Sequence, residues 1–370
     1  MRGTIVPRGQ SYRIVISLGR DSVSGKYKRY TETAPSRGKA EKRLTAILHE
    51  LDKGTFHTPE RIRLSDYLTK WLNNHKGNIS PRVYESYESL IRVHIIPKLG
   101  NNLLPQLRGD QLEKYYADLL DSGLSKQTIK HHHALLHKAL ADAKLGRNVA
   151  DTVKPYKVDK PEMLFWDIDD VEGFLSSIKD TEYYPMFFTL LHTGMRRSEV
   201  LALRWKDIDL IFGQISISRG LHQLTDRSII FKPPKSKMSR RTIAMTPANI
   251  KVITGYHLHR EEQHKLLGMD KITDNDMVFS HIDGKPMLPN SVSHAWARLS
   301  SEYGNPIRLH DARHTHASIL LQLGVHPKVV QERLGHANIG ITLDIYSHIR
   351  PGMQEDAAKL FDKALAKTQE

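Results

Sequence analysis

The sequence predicts a multidomain protein: a small N-terminal β-sheet with a helix, an all-α block, and a larger α+β unit that is mainly helical. Three observations predict it. The chain has 370 residues, more than one hydrophobic core usually spans. Its apolar period is that of strands near the N-terminus and that of helices from residue 61 onward. A charged, proline-bearing stretch, KPYKVDKPEM from Lys154 to Met163, is poor in large aliphatics and reads as a linker. The expected units are therefore 1–56, 61–157 and 163–370.

Composition narrows the chemistry before any motif is read. With no cysteine, disulfides, thiolate zinc sites, iron–sulfur clusters and a cysteine nucleophile are excluded. Lys and Arg number 55 against 41 Asp and Glu, a formal charge of +14. That excess makes nucleic acid the leading partner, against the plainer reading of a solvated basic surface. No apolar run approaches the ~18 residues of a membrane span, and MRGTIVPRGQSYRIV lacks the features of a secretion signal. A cytoplasmic location is expected.

In the first segment Tyr12, Ile14, Ile16 and Leu18 alternate with Arg13, Val15 and Ser17, the period of a half-buried strand. KYKRYTET follows the turn-like DSVSG as a second strand. From Gly38, the residues Ala40, Leu44, Ile47, Leu48 and Leu51 fall at helical spacing, so this helix can close one face of the sheet. The other face stays free. Residues 1–30 hold seven basic residues, Arg2, Arg8, Arg13, Arg20, Lys26, Lys28 and Arg29, against Asp21 alone. They point to a sheet lying on DNA, although cations on edge strands also block aggregation.

The second segment is helical throughout, with helices expected near 64–72, 81–95, 110–120 and 125–145. Gly77-Asn78, the stretch from Pro97 to Gly100, and Ser122-Gly123 supply breaks; Ser80, ahead of Pro81, and Ser125 are N-caps. The fourth helix carries Lys126, Lys130, His131, Lys138 and Lys144 around Ile129, Leu136 and Leu140, so one face can meet phosphates. His131, His132, His133 and His137 fan around the helix and cannot converge on one ion. A surface or DNA-facing role is expected for them.

The last segment has β character in ISISRG and in the pair SIIFKPP…RRTIAM, flanked by helices. Three islands carry unusual residues. In HTGMRRSEVLALRWKDID, Thr193-Gly194 ends one helix, and Arg196 and Glu199 lie three apart on the next, where a carboxylate can aim an arginine fork at a phosphate. PPKSKMSRRTIAM reads as a hairpin tip holding Lys235 and Lys237, either phosphate-gripping or able to protonate a leaving oxygen. In HDARHTHASILLQLGVHPKVVQERLGHANIGITLDIYSH, His310 and Arg313 share a helix face, with His336 and Tyr346 downstream. Each of these alone has a dull explanation: an ion pair, a solvated loop, a capped histidine, a core tyrosine. Their conjunction does not.

That conjunction closely resembles the tyrosine recombinase, or phage integrase, family. The resemblance rests on TGMRRSE, HDARHTHAS, LGHANIGITLDIYSH and a lysine between the first two, and is strong from about Phe165 to Arg350. It implies Arg196 and Arg313 as phosphate-binding arginines, His310 and His336 as the histidine pair, Lys237 ahead of Lys235 as general acid, and Tyr346 as nucleophile. Glu199 supports Arg196. His310 would accept the tyrosine proton or hold a phosphate oxygen. The implied reaction leaves a 3′-phosphotyrosyl link and needs no ATP, metal or other cofactor; the zinc-like spacing of His310 and His314 has no third ligand.

The resemblance also makes the helical block a core-binding domain of SAM-like type and the N-terminal sheet an arm-binding domain, which favours the integrase of a mobile element. It implies double-stranded attachment sites as partner, a homotetramer on DNA with a monomer allowed in solution, and room for an excisionase or DNA-bending accessory protein. Ala357, Leu360, Phe361, Ala364 and Leu365 form an apolar stripe that docks either on its own domain or on a neighbouring subunit. Two rival readings are a type IB topoisomerase-like relaxing enzyme, which the arm-like domain disfavours, and a non-catalytic DNA-binding regulator, which would lack a catalytic residue.

Overall fold

The computed structural model describes residues 3–20, 25, 27–53, 62–145, 148–158, 163–233, 239–349, 358 and 362, with the backbone alone at Lys28 and at 346–349. The chain divides into two compact units, Met1–Val158 and Asp159–Glu370.

The first unit holds two separate cores. Strands β1 (Gly3–Arg8), β2 (Ser11–Arg20) and β3 (Tyr27–Ala34) form an antiparallel sheet in the order β1-β2-β3. β1 is an addition to the two strands expected. Pro7 disguises it, because proline cannot donate to a ladder, and is tolerated because β1 is an edge strand. Arg8 pairs with Ser11, so the turn between them has two residues, and Gly9 takes the positive φ of 60° that such a turn requires. Helix α1 (Arg37–Asp52), capped by the Ser36 side chain, lays Ala40 and Ile47 on Ile14 and Ile16.

The second core is built by α2 (Leu64–His75), α3 (Pro81–Ser89), a π-helical turn at Leu90–Ile95, α4 (Ile96–Leu99), α5 (Gly109–Asp121) and α6 (Lys126–Asp142). The helix expected to stop at Ile95 runs on to Leu99. The Ile96 N–H reaches back to Ile91 O, and this wider turn carries the helix into Pro97, which has no N–H to offer. The histidine run also departs from expectation. His132 is fully buried, its Nδ1 2.8 Å from the Tyr115 hydroxyl, and His133 Nδ1 lies 3.2 Å from that of Tyr116. Consecutive helical residues fan over ~200°, so a triplet must send one member into the core. His131 and His137 remain exposed. Lys144 lies beyond the helix end, at φ 50°.

The second unit contains α7 (Ile168–Ser177), α8 (Tyr184–Thr193), α9 (Arg197–Val200), α10 (Pro247–Leu266), α11 (Pro289–Tyr303), α12 (Asp311–Gln322), α13 (Pro327–Leu334) and α14 (Ile339–Ile349). Its main core centres on Trp166, Phe174, Phe187 and Trp296. A smaller core of Ala317, Leu321, Val330, Leu334 and Ile345 joins α12, α13 and α14.

Five strands, β4 (Ile208–Asp209), β5 (Gln214–Ile217), β6 (Gly220–Gln223), β7 (Ile229–Lys232) and β8 (Arg241–Ala244), form two sheets, β4-β5-β8 and β6-β7. The expected pairing of SIIFK with RRTIA does not occur. Both lie against the continuous stretch 214–223, with Gly220 opposite Lys232 and Ile217 opposite Arg241. The hairpin closes instead where Leu224 N donates to Ser228 O, next to Arg227 at φ 68°. Pro233 cannot donate, which ends the ladder after Lys232. Lys235 and Lys237 fall in this interruption, outside the described residues.

Candidate active site

The site is assembled on the ends of two helices that stop on left-handed glycines. α8 stops at Gly194 (φ 64°) and α13 at Gly335 (φ 66°). A helix C-terminus leaves carbonyls without partners at the negative end of its dipole, where cationic donors are stabilised. Arginines take these places. Arg313, 2% exposed, donates from Nη1 to Gly194 O at 2.8 Å and from Nη2 to Leu334 O at 2.6 Å. Arg196 Nη2 reaches the next carbonyl, Gly335 O, at 3.1 Å. The two predicted phosphate arginines thus hold consecutive carbonyls, and each fork has more donors than these contacts use.

Glycine is required at 194 for two reasons. The φ is left-handed, and an added Cβ would stand 2.5 Å from Leu334 Cδ2 and 2.7 Å from His316 Cδ2.

Arg196 caps α9 and does not lie on it, so the shared helix face expected for Arg196 and Glu199 becomes a capping contact. Its amide donates to Glu199 Oε2 at 2.9 Å and its Nη1 to Oε1 at 2.8 Å. Burial would raise the Glu199 pKa, but the hydrogen bonds and charge of Arg241, with those of Arg196, outweigh it and hold the carboxyl ionised below its ordinary range. Burial and the neighbouring Arg196 push Arg313 down to about 9, which leaves it charged at neutral pH.

His310 immediately precedes α12 and is exposed, its ring 5.1 Å from that of His314, edge to face. Packing about the ring, His314 and Arg313 lower its pKa and keep it neutral. His336 is buried beside Gly335, with Nδ1 3.0 Å from Thr342 Oγ1. Burial, then Arg313 and Arg196, lower it to about 3. Tyr346 lies on α14, its side chain outside the described residues.

Three residues were missed in the sequence. Arg241 joins Glu199 to Arg333 O. Arg333 donates to Ala244 O, His192 O and His316 Nε2. His316 Nδ1 lies 2.9 Å from Leu191 O, an acceptor only, so Nδ1 carries the proton and Nε2 accepts from Arg333. Most of their partners are main-chain carbonyls, which leave no pairing signal in a sequence.

The sequence pattern of the phage integrase family matches residues 166–353, and that of the phage integrase N-terminal SAM-like domain matches 63–120. The chain belongs to the phage integrase family. It is a tyrosine-type site-specific DNA recombinase that integrates and excises a mobile element. This integrase is 26% identical over 361 residues to the ICEBs1 integrase of Bacillus subtilis, covering 96% of this chain and 97% of that one. It is also 26% identical to a XerC-like tyrosine recombinase of Caldanaerobacter subterraneus, over 94% and 95% of the two chains. Its fold matches the Tn1549 transposon integrase solved with transposon right end DNA, at TM-score 0.69 and 24% identity, covering 82% of this chain and 100% of that one. The lambda integrase tetramer on a Holliday junction matches at TM-score 0.58 and 16% identity, over 92% and 94%.

Proposed function

We propose that the arginine cradle at the ends of α8 and α13 holds the scissile phosphate of an attachment site while Tyr346 attacks it. One observation carries this reading: Arg196 and Arg241 share the one carboxylate of Glu199, while Arg313 and Arg333 are held by carbonyls and a histidine ring, so the cluster keeps an excess of fixed positive charge. Such a site favours a bound phosphate and the further charge that builds in an in-line transition state.

In the cleavage step Tyr346 Oη bonds to phosphorus and the bond to the 5′ oxygen breaks, leaving a 3′-phosphotyrosyl link. The phenol, with an ordinary pKa of ~10, passes its proton to His310, whose neutral, solvent-facing ring suits it to accept. His336 hydrogen-bonds the same phosphate. Lys237, with Lys235 as the alternative, protonates the departing 5′ oxygen. A 5′ hydroxyl from a partner strand then reverses the step, with neither ATP nor metal.

The functional division is 1–56 for arm sites, 61–157 for the core site and 163–370 for catalysis. The SAM-like match at 63–120 supports the middle assignment. The assembly is a homotetramer on double-stranded DNA, working with an excisionase or DNA-bending protein in the cytoplasm of a prokaryotic cell. Among the described residues no helix is long and apolar enough to cross a membrane.

Tyr346→Phe tests the chemistry. It should abolish covalent protein–DNA adducts on denaturing gels while the protein still shifts its attachment site; undiminished adducts would remove Tyr346 from the mechanism.

A further inference from the structure

Arg241 adds charge to the cluster but is given no contact with the phosphate in the steps above, and its bonds link Glu199 to the end of α13. Its side chain is 6% exposed. Nε donates to Arg333 O at 2.6 Å, and Nη1 and Nη2 hold the two oxygens of Glu199 at 3.2 and 2.9 Å. Glu199 is therefore shared between a buried, fixed arginine and Arg196, whose side chain is 34% exposed.

The sharing has a direction. Without Arg241 the Glu199 carboxylate, 5% exposed, keeps only Arg196 as a hydrogen-bonded cation, and the Arg196 fork is drawn onto it and away from a substrate phosphate. Arg333 O loses its donor at the same time. The next two carbonyls along α13, Leu334 O and Gly335 O, are those that hold Arg313 and Arg196.

We propose that Arg241 is a positioning residue for strand cleavage, aiming Arg196 through Glu199 and Arg313 through the α13 end, without touching DNA itself. The inference rests on the phosphate-binding reading of Arg196 and Arg313.

The test is single-turnover cleavage of a duplex carrying the element's own attachment-site core, compared with the same duplex bearing a methylphosphonate at the scissile position. The methyl group replaces a charged non-bridging oxygen, so misaimed arginines matter less. Arg241→Ala should slow cleavage of the natural duplex by about a hundredfold with site binding unchanged, and by less than about fivefold on the methylphosphonate. Equal loss on both duplexes would mark Arg241 as a brace of the fold alone and overturn the proposal, as would full activity on the natural one. Arg241→Lys keeps the charge but cannot span Glu199 and Arg333 O together, so it decides the matter if Arg241→Ala does not fold. Arg196→Ala separates the two readings. If the methylphosphonate fails to rescue Arg196→Ala, the phosphate reading is wrong; if it rescues Arg196→Ala and not the Arg241 variants, only the positioning role is.

Discussion

Helix α6 of the first unit and α12 of the second both gather histidines, and the two groups do different things. On α6, His132 and His133 meet the hydroxyls of Tyr115 and Tyr116, and His137 meets Asp151. Around α12, His310 stands ahead of Arg313, and His316 is fixed between Arg333 and the end of α8. Burial is the largest cause at both sites and lowers His132 and His310 alike, each to about 4. A depressed pKa therefore does not separate chemistry from packing. The charged neighbours do: histidines act on both rings, His94 and His131 on His132 and His314 on His310, but the guanidinium groups of Arg313 and Arg196 add to the shift at His310 alone. An imidazole kept neutral next to fixed cations can take a proton as an anion arrives; one kept neutral among tyrosines holds a core together.

The largest break in this comparison is kinetic. His310→Ala should slow adduct formation by about a thousandfold in single-turnover assays and leave the melting curve in place, because the side chain is exposed. A loss under about tenfold would leave His310 no closer to chemistry than His132.

His132→Ala should do the reverse. Removing a fully buried ring and the partner of the Tyr115 hydroxyl costs about 2 kcal/mol in urea unfolding, while the cleavage rate of the bound complex stays within about threefold of the parent. A rate collapse without destabilisation would give the α6 cluster a catalytic part.

The last break is a pH dependence shared among three buried histidines. His132 at about 4 and His316 and His336 at about 3 all lie below the unfolded value of ~6.5. Between these limits the unfolded chain binds protons that the folded chain does not, so stability is full above ~6.5 and is lost as pH falls toward the folded values. The urea midpoint should drop between about pH 7.5 and about pH 5, and His132→Leu should make that drop shallower. A midpoint that is flat or rises toward acid contradicts the assignment.

Much of this was legible in the sequence because it is written in side chains. The alternation through Ile14 and Ile16, the helical stripe of α1 and the four helices expected between 64 and 145 follow from apolar period. Arg196, His310, Arg313 and His336 were singled out by motif, and the structure puts the two arginines and His336 at the ends of α8 and α13, with His310 at the start of α12. What escaped depends on the backbone. β1 was hidden by Pro7, the run-on through Pro97 by a turn of unusual width, and the split of β7 from β8 by a strand that changes partners midway. The roles of Arg241 and Arg333 were invisible because their acceptors include carbonyls at residues 192, 244 and 333, and every residue has a carbonyl.

Gly194 bears on how decaying mobile elements are read in genomes. Any side chain there meets Leu334 and His316 and strains a left-handed backbone, while the Gly194 carbonyl anchors Arg313. With Arg313 holding the scissile phosphate as proposed, a single base change in that codon would immobilise an element whose reading frame and signature residues are all intact. An inventory of live elements scored on arginines, histidines and tyrosine would count such a copy as active; this glycine belongs on the checklist.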